Sequence, residues 1–129
     1  MLKWIPIIIT LLFLTGCSAS REVRGYSQIS MEEAEERLSI ECGLIILDVR
    51  TPEEFAAGHI PGAINIPNEI IGPDQIPQLP EKEQRIYVYC RSGNRSKQAS
   101  EKLVALGYTD IVEIGGIIDW PGEIVTGAK

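Results

Sequence analysis

Seven residues in the second half of the chain combine a thiol, two guanidinium groups and small polar side chains. Residues 90–96 read Cys-Arg-Ser-Gly-Asn-Arg-Ser; they follow an apolar run and lead into a stretch with helical spacing. Backbone N–H groups of such a loop, with the free N–H groups and positive dipole end of the next helix, can stabilise an anion at the cysteine sulfur. The sequence therefore predicts a reactive thiolate at Cys90 in an anion-binding loop.

A structural role for Cys90 is the alternative, because a cysteine after an apolar run is often a small buried core residue. The two arginines of the loop favour a reactive cysteine over a structural one. Arg91 and Arg95 flank the sulfur, and arginines so close to the end of an apolar strand need an anionic partner, which a thiolate or a bound oxyanion supplies.

The elements that must position this loop alternate between strand and helix. Residues 26–29, 44–49, 63–66, 86–89 and 108–114 have strand character, and the run at 44–49 is apolar enough for a strand buried on both faces. Ser30 with Glu33, and Thr51 with Pro52 and Glu54, are typical starts of short helices. A third helix follows the Cys90 loop and stops at Gly107, while residues 68–85 hold at most one helical turn. This order predicts an α/β fold with an open parallel sheet, whose site lies at the carboxyl ends of its strands.

Two other chemically active side chains, those of Asp48 and His59, are better interpreted as structural than as catalytic. Asp48 ends the buried strand, and we expect it to bind a loop N–H or Arg50 rather than act as a base. We therefore expect Asp48 and Arg50 to be supporting residues behind the site. His59 is the one histidine of the chain, and we expect it to make local hydrogen bonds, because a thiolate stabilised by amides needs no base.

The first residues are typical of an exported lipoprotein. Lys3 precedes an apolar run that ends in Leu14-Thr15-Gly16-Cys17, and this run is short for a membrane span but suits a signal peptide. The four residues resemble the lipobox of bacterial lipoproteins, which implies lipid attachment at Cys17. We expect a signal peptide at 1–16, a tether at 17–25 and one domain at 26–129. The alternative for the apolar run is an uncleaved anchor helix.

The charge of the remaining chain limits its partners. Removing the first 16 of 129 residues takes away Lys3 and changes the formal charge from −6 to −7. Nucleic acid is then an unsuitable partner, and acyl chains rather than protein charge would hold the domain to a periplasmic membrane face or the cell surface. We further expect a monomer.

The remaining cysteines are Cys42 and Cys90, in a compartment where disulfides are permitted. We expect no bridge between them, because a bridge would consume the thiol around which the loop is built. Cys42 is predicted to be a small core residue beside its strand.

Four segments together resemble one family. They are LDVRTPEEF at 47–55, GHIPGAINIP at 58–67, the loop at 90–96, and GGIIDW at 115–120. In order and spacing they are similar to a single-domain rhodanese, over nearly the whole chain after Cys17. The resemblance implies a parallel sheet with helices on both faces, no cofactor and no metal.

The same resemblance implies sulfur transfer through a persulfide on Cys90. The donor would be a small molecule such as thiosulfate, and the acceptor cyanide or a thiol. Arg91 lies where members that prefer thiosulfate carry a basic residue, and Arg95 would hold the donor's sulfonate oxygens with a bidentate fork. The residues expected to bind substrate are Arg91, Ser92, Gly93, Asn94, Arg95 and Ser96.

Two alternatives remain open from the sequence. Phosphatases and arsenate reductases of the same fold have the pattern C-x5-R, whereas four residues separate Cys90 from Arg95 here, which gives a smaller ring of N–H groups. A persulfide-carrying or binding module without catalysis is the other alternative, although idle modules typically lack the loop cysteine.

Overall fold

A computed structural model of the chain describes residues 25–128. The predicted signal peptide, the predicted tether up to residue 24 and the predicted lipidation site Cys17 lie outside these residues. Within the described part, no helix has the length and apolar character needed to cross a membrane.

Within residues 25–128, five parallel strands form one sheet, and three helices cover it. Their bounds, in chain order, are β1 (Ser27–Gln28), α1 (Met31–Leu38), β2 (Ile45–Asp48), α2 (Pro52–Ala57), β3 (Ile64–Asn65), β4 (Ile86–Cys90), α3 (Asn94–Ala105) and β5 (Ile111–Gly116). Single 3₁₀ turns at Asn68–Ile70 and Ile117–Asp119 complete the set. The sheet order is β1-β5-β4-β2-β3, with every pair parallel. The predicted α/β class and parallel sheet are confirmed.

Alternation along the central strand explains why helices occupy both faces. All five residues of β4 are buried; Ile86, Val88 and Cys90 pack in the cluster that includes Ala99 and Leu103 of α3. Tyr87 and Tyr89 point to the opposite face, where they meet α1 and α2. Successive side chains of a strand leave on opposite sides, so a strand covered on both faces is apolar throughout.

The helix starts follow the predicted capping signals. The Ser30 hydroxyl accepts the N–H of Glu33 at 3.1 Å, and Thr51 with Glu54 forms a complete capping box before α2. The predicted ends of strands are less accurate, since β5 begins and ends later than 108–114, and β1 has only two residues.

Cys42 corrects one prediction, because it is exposed rather than in the core. It precedes β2, whereas Cys90 ends β4, and these strands are parallel neighbours. The two residues therefore lie at opposite ends of the sheet, and both thiols are free, as predicted.

Candidate active site

Cys90 is the last residue of the central strand, four residues before the start of α3. Its side chain is nearly inaccessible, with 1% of the residue exposed. The backbone N–H of Gly93 donates to the sulfur at 3.0 Å, and the Ser96 hydroxyl lies 3.4 Å from it. The start of a 12-residue helix also places the positive end of its dipole beside this sulfur. The surroundings stabilise a negative charge on the sulfur.

Glycine at position 93 is required by the turn. Its φ is 107°, a left-handed conformation that a residue with a Cβ adopts only with strain. This conformation reverses the chain after β4, so that the Gly93 N–H points back at the sulfur. The sharp strand-to-helix connection therefore creates the N–H contact.

Gly116 allows β5 to approach the Cys90 loop closely. In the register of the sheet, Gly116 stands opposite Cys90, and a Cβ added to it would lie 2.2 Å from the carbonyl oxygen of Arg91. Any side chain there would push the loop away, because backbone cannot yield as a flexible side chain can. Gly116 is thus a packing requirement of the loop.

Glu113 is a buried residue beside the Cys90 loop that the sequence interpretation missed. It lies on β5, 3% exposed, and its Oε1 is 2.6 Å from the Ser96 hydroxyl and 2.9 Å from the N–H of Gly115. Its other oxygen accepts from Gln28 at 3.2 Å. The one signal for this residue in the sequence is that an acid lies between Val112 and Ile114 in an otherwise apolar run. A carboxylate is rarely buried without partners, so such an acid indicates a specific hydrogen-bond partner.

The two arginines of the loop have different surroundings. Arg91 is exposed, and within residues 25–128 no hydrogen bond or ion pair engages its guanidinium. Arg95 donates from its two terminal nitrogens to the two oxygens of Glu54, at 2.6 and 3.0 Å. This pair lowers the pKa of Glu54 from its ordinary 4.5 to about 2.

The fork that was expected to hold the donor's oxygens therefore has a different partner. Glu54 is kept in place by its capping box, in which Oε1 also accepts from the backbone and hydroxyl of Thr51. A carboxylate fixed in this way is a ready bidentate partner for Arg95. The structure assigns Arg95 to holding α3 against α2.

The other loop residues divide by exposure. Ser92 and Asn94 are exposed, whereas Gly93 and Ser96 are buried. The Ser96 hydroxyl thus reaches the sulfur from the protein side, through α3, where it contacts Cys90 and Glu113. Its contact with the substrate stays a prediction.

Asp48 and Arg50 form a buried ion pair behind the loop. The Arg50 side chain donates to both carboxylate oxygens, with the shortest distance 2.6 Å, and also to the carbonyl of Gly58 at 2.6 Å. Arg50 further lies over the ring of Tyr89, 5.7 Å from its centroid. This arrangement ties the segment after β2 to the end of α2, in agreement with a supporting role.

His59 is buried and has local partners. Its Nδ1 lies 2.8 Å from the carbonyl of Phe55, so that nitrogen carries the proton and donates, and its ring stacks on the Phe55 ring at 3.7 Å. Among residues 25–128, no three His, Cys, Asp or Glu side chains converge as a metal-binding set.

Comparison with known proteins places the chain among relatives of one family. The profile of the family described as "Rhodanese-like domain" matches residues 30–122. A sulfurtransferase of Allochromatium vinosum is 38% identical over 95 residues, covering 73% of this chain and 87% of that protein. The thiosulfate sulfurtransferase PspE of Escherichia coli is 40% identical over 73 residues, covering 57% of this chain and 70% of that protein.

A solved structure of a rhodanese-like domain protein from Staphylococcus aureus has the same architecture. It is 36% identical, covers 77% of this chain and 96% of its own, and superposes with a TM-score of 0.67. With the family profile spanning most of the chain, and a cysteine loop at the carboxyl end of a parallel sheet, the protein belongs to the rhodanese-like domain family.

Proposed function

We propose that the protein is a sulfurtransferase that carries sulfur as a persulfide on Cys90, from an anionic donor such as thiosulfate to cyanide or a thiol. The observation that carries this proposal is the Gly93 N–H directed at the Cys90 sulfur at the start of α3. Relatives named as sulfurtransferases support the same class of reaction.

In the first step, the Cys90 thiolate attacks the outer sulfur of the donor. A sulfur–sulfur bond forms to Cys90 while the sulfur–sulfur bond of thiosulfate breaks, and sulfite leaves with that bond's electron pair. The products are a cysteine persulfide anion and sulfite, with total charge unchanged. Loop N–H groups and the helix dipole are placed to stabilise the persulfide anion.

In the second step, the acceptor attacks the outer sulfur of the persulfide. Cyanide takes that sulfur to give thiocyanate, and Cys90 returns as a thiolate. Dividing one transfer between two displacements at the same sulfur gives ping-pong kinetics. Arg91, exposed and unpaired among the described residues, is the cation we assign to attracting the donor.

The test is the mass of the intact protein after treatment with thiosulfate and removal of the excess. We expect a gain of one sulfur atom in the full-length chain, and a return to the original mass with cyanide. Cys90→Ser should gain nothing, and Cys42→Ser, the matched control at the far end of the sheet, should gain sulfur normally. Hydrolysis of aryl phosphates without any sulfur adduct would instead favour the phosphatase alternative.

We also propose that the domain is held at a bacterial membrane through lipid on Cys17. The support is the sequence Leu14-Thr15-Gly16-Cys17 after an apolar run. Two acyl chains are enough for stable attachment without a basic protein surface, which suits an acidic domain.

A further inference from the structure

A continuous row of polar groups leads from the Cys90 sulfur into the protein. The Ser96 hydroxyl is 3.4 Å from the sulfur on one side and 2.6 Å from Glu113 Oε1 on the other. The three residues come from β4, α3 and β5, and all are buried. Glu113 has no part in the sulfur transfer described above, although it is a buried acid only two hydrogen bonds from the reacting atom.

The Ser96 hydroxyl has one proton and several neighbours that can accept it. The carbonyl of Gly93, at 2.9 Å, is one, and the Glu113 oxygen is the other near acceptor. A carboxylate is the stronger acceptor, because hydrogen bonds to an ionised group are about twice as strong as neutral ones. With Glu113 ionised, the proton points to Glu113, and the Ser96 oxygen accepts the S–H of Cys90.

This set of hydrogen bonds cannot be completed when both Cys90 and Glu113 are ionised. Two anions then face one hydroxyl from opposite sides, and only one of them receives its proton. If Glu113 is protonated, every contact is satisfied: the carboxylic acid donates to the Ser96 oxygen, and Ser96 donates to the thiolate. Moving from the thiol to this form shifts two protons by one position each and leaves the total charge unchanged.

We infer that Glu113 is a positioning residue that acts through Ser96, because it competes with the Cys90 sulfur for the single proton of the Ser96 hydroxyl. This deepens the proposed function, and it rests on that function only in taking the Cys90 thiolate as the reacting species. Sulfur chemistry at Cys90 then depends on which of the two groups receives the hydrogen bond of the Ser96 hydroxyl.

Other charged groups near the pair are the same in every comparison below. Arg95 of α3 interacts electrostatically with Cys90 and is paired with Glu54 of α2. Glu32 at the start of α1 and Asp119 line a cavity of about 470 Å³ beside Gly115 and Gly116. From β1 the contacting side chain is Gln28, which is uncharged.

The experiment measures alkylation of Cys90 by iodoacetamide against pH in the full-length chain, with Cys42→Ser as background and the modified residue assigned by peptide mass. Glu113→Gln removes the charge, and its amide N–H can donate to Ser96, which frees the hydroxyl for the thiolate. We expect the midpoint of alkylation to move to lower pH by about one unit or more. Glu83→Gln, which removes an exposed carboxylate before β4, should leave the midpoint in place.

Two further variants separate this role from a structural one. Adding Glu113→Gln to Ser96→Ala should give a smaller shift than it gives alone, because the connecting hydroxyl is absent. Gln28→Ala, at an exposed position of the edge strand, removes a donor to Glu113 and should shift the midpoint in the same direction by less. It also keeps the test valid should Glu113→Gln not fold.

A midpoint that is unchanged or higher in folded Glu113→Gln, or in Gln28→Ala when the former does not fold, would overturn the inference. Alkylation needs no sulfur donor, so its outcome is separate from that of the persulfide test. Absence of a sulfur adduct would leave the Cys90–Glu113 coupling intact, and absence of a shift would leave the sulfurtransferase proposal intact.

Discussion

Arg91 and Arg95 lie on the same loop, but only one has an unoccupied guanidinium. Arg95 has both terminal nitrogens on Glu54, so any contact with a donor would first require that pair to open. Arg91 is exposed and has no such partner among residues 25–128. We therefore propose that Arg91, rather than Arg95, attracts the anionic donor.

Arg91→Ala should raise the KM for thiosulfate and slow formation of the persulfide. Loss of one charge-assisted contact costs about 1.5–3 kcal/mol, or roughly a ten- to hundredfold change. Steady-state kinetics with thiosulfate and cyanide provide the measurement. Arg37→Ala, which removes a cation from α1, should leave the KM nearly unchanged, and equal kinetics for Arg91→Ala and the wild type would show that Arg91 does not bind the donor.

At the scale of elements, the Cys90 loop is held by the contacts of its neighbours. Helix α2 supplies Glu54 to Arg95, and β5 supplies Gly116 beside Arg91 and Glu113 beside Ser96. Because the loop is short and tightly turned, its N–H geometry depends on these elements staying in place. Stability and sulfur chemistry are linked through them.

Because of the Glu54–Arg95 pair, the free energy of unfolding should decrease at acid pH. Glu54 has a folded pKa of about 2 against an ordinary 4.5, so its contribution is complete above pH 4.5 and is lost as the pH falls towards 2. Such a shift corresponds to about 3 kcal/mol, and because nearly a third of each side chain is exposed, we discount it to about 1–2 kcal/mol.

The measurement is denaturant unfolding of the wild type and Glu54→Gln between pH 2 and 7. The wild type should be more stable by that amount above pH 5, and the difference should shrink towards zero near pH 2. Glu33→Gln, which breaks the more exposed pair with Arg37, is the control. Its free energy of unfolding should differ little from that of the wild type at every pH between 2 and 7. A difference between wild type and Glu54→Gln that does not change with pH would contradict the role assigned to this pair.

At the scale of the whole molecule, we propose that an acidic charge and a lipid anchor act together. A net charge of −6 over the full sequence gives little attraction to anionic lipid headgroups. Lipid on Cys17 would supply the attachment, and the short tether before β1 would keep the site near the membrane surface.

Cys17→Ala should therefore abolish labelling of the protein by radioactive fatty acid and leave the signal peptide unprocessed. The readouts are acyl labelling, gel mobility and fractionation of bacterial membranes from the cells that express the variant. Cys42→Ala is the matched control and should be labelled like the wild type. Labelling that persists in Cys17→Ala would exclude lipid attachment at this residue.

Local sequence determined the elements and the position of the Cys90 loop between them. Ser30, Thr51 and Glu54 mark helix starts through hydrogen bonds that span three residues, and the apolar run before Cys90 marks a strand buried on both faces. These signals depend on neighbours in the chain, so they can be interpreted without the fold. The loop at 90–96 was recognisable for the same reason.

Tertiary structure alone decided which charged groups meet. Arg95 and Glu54 are 41 positions apart, and Ser96 and Glu113 are 17 apart; each pair forms only because α2 and β5 lie beside the Cys90 loop in the folded sheet. The exposure of Cys42 likewise follows from its place before β2, at the end of the sheet opposite the Cys90 loop. Sequence spacing gives no measure of such contacts, because they depend on strand order and register rather than on local pattern.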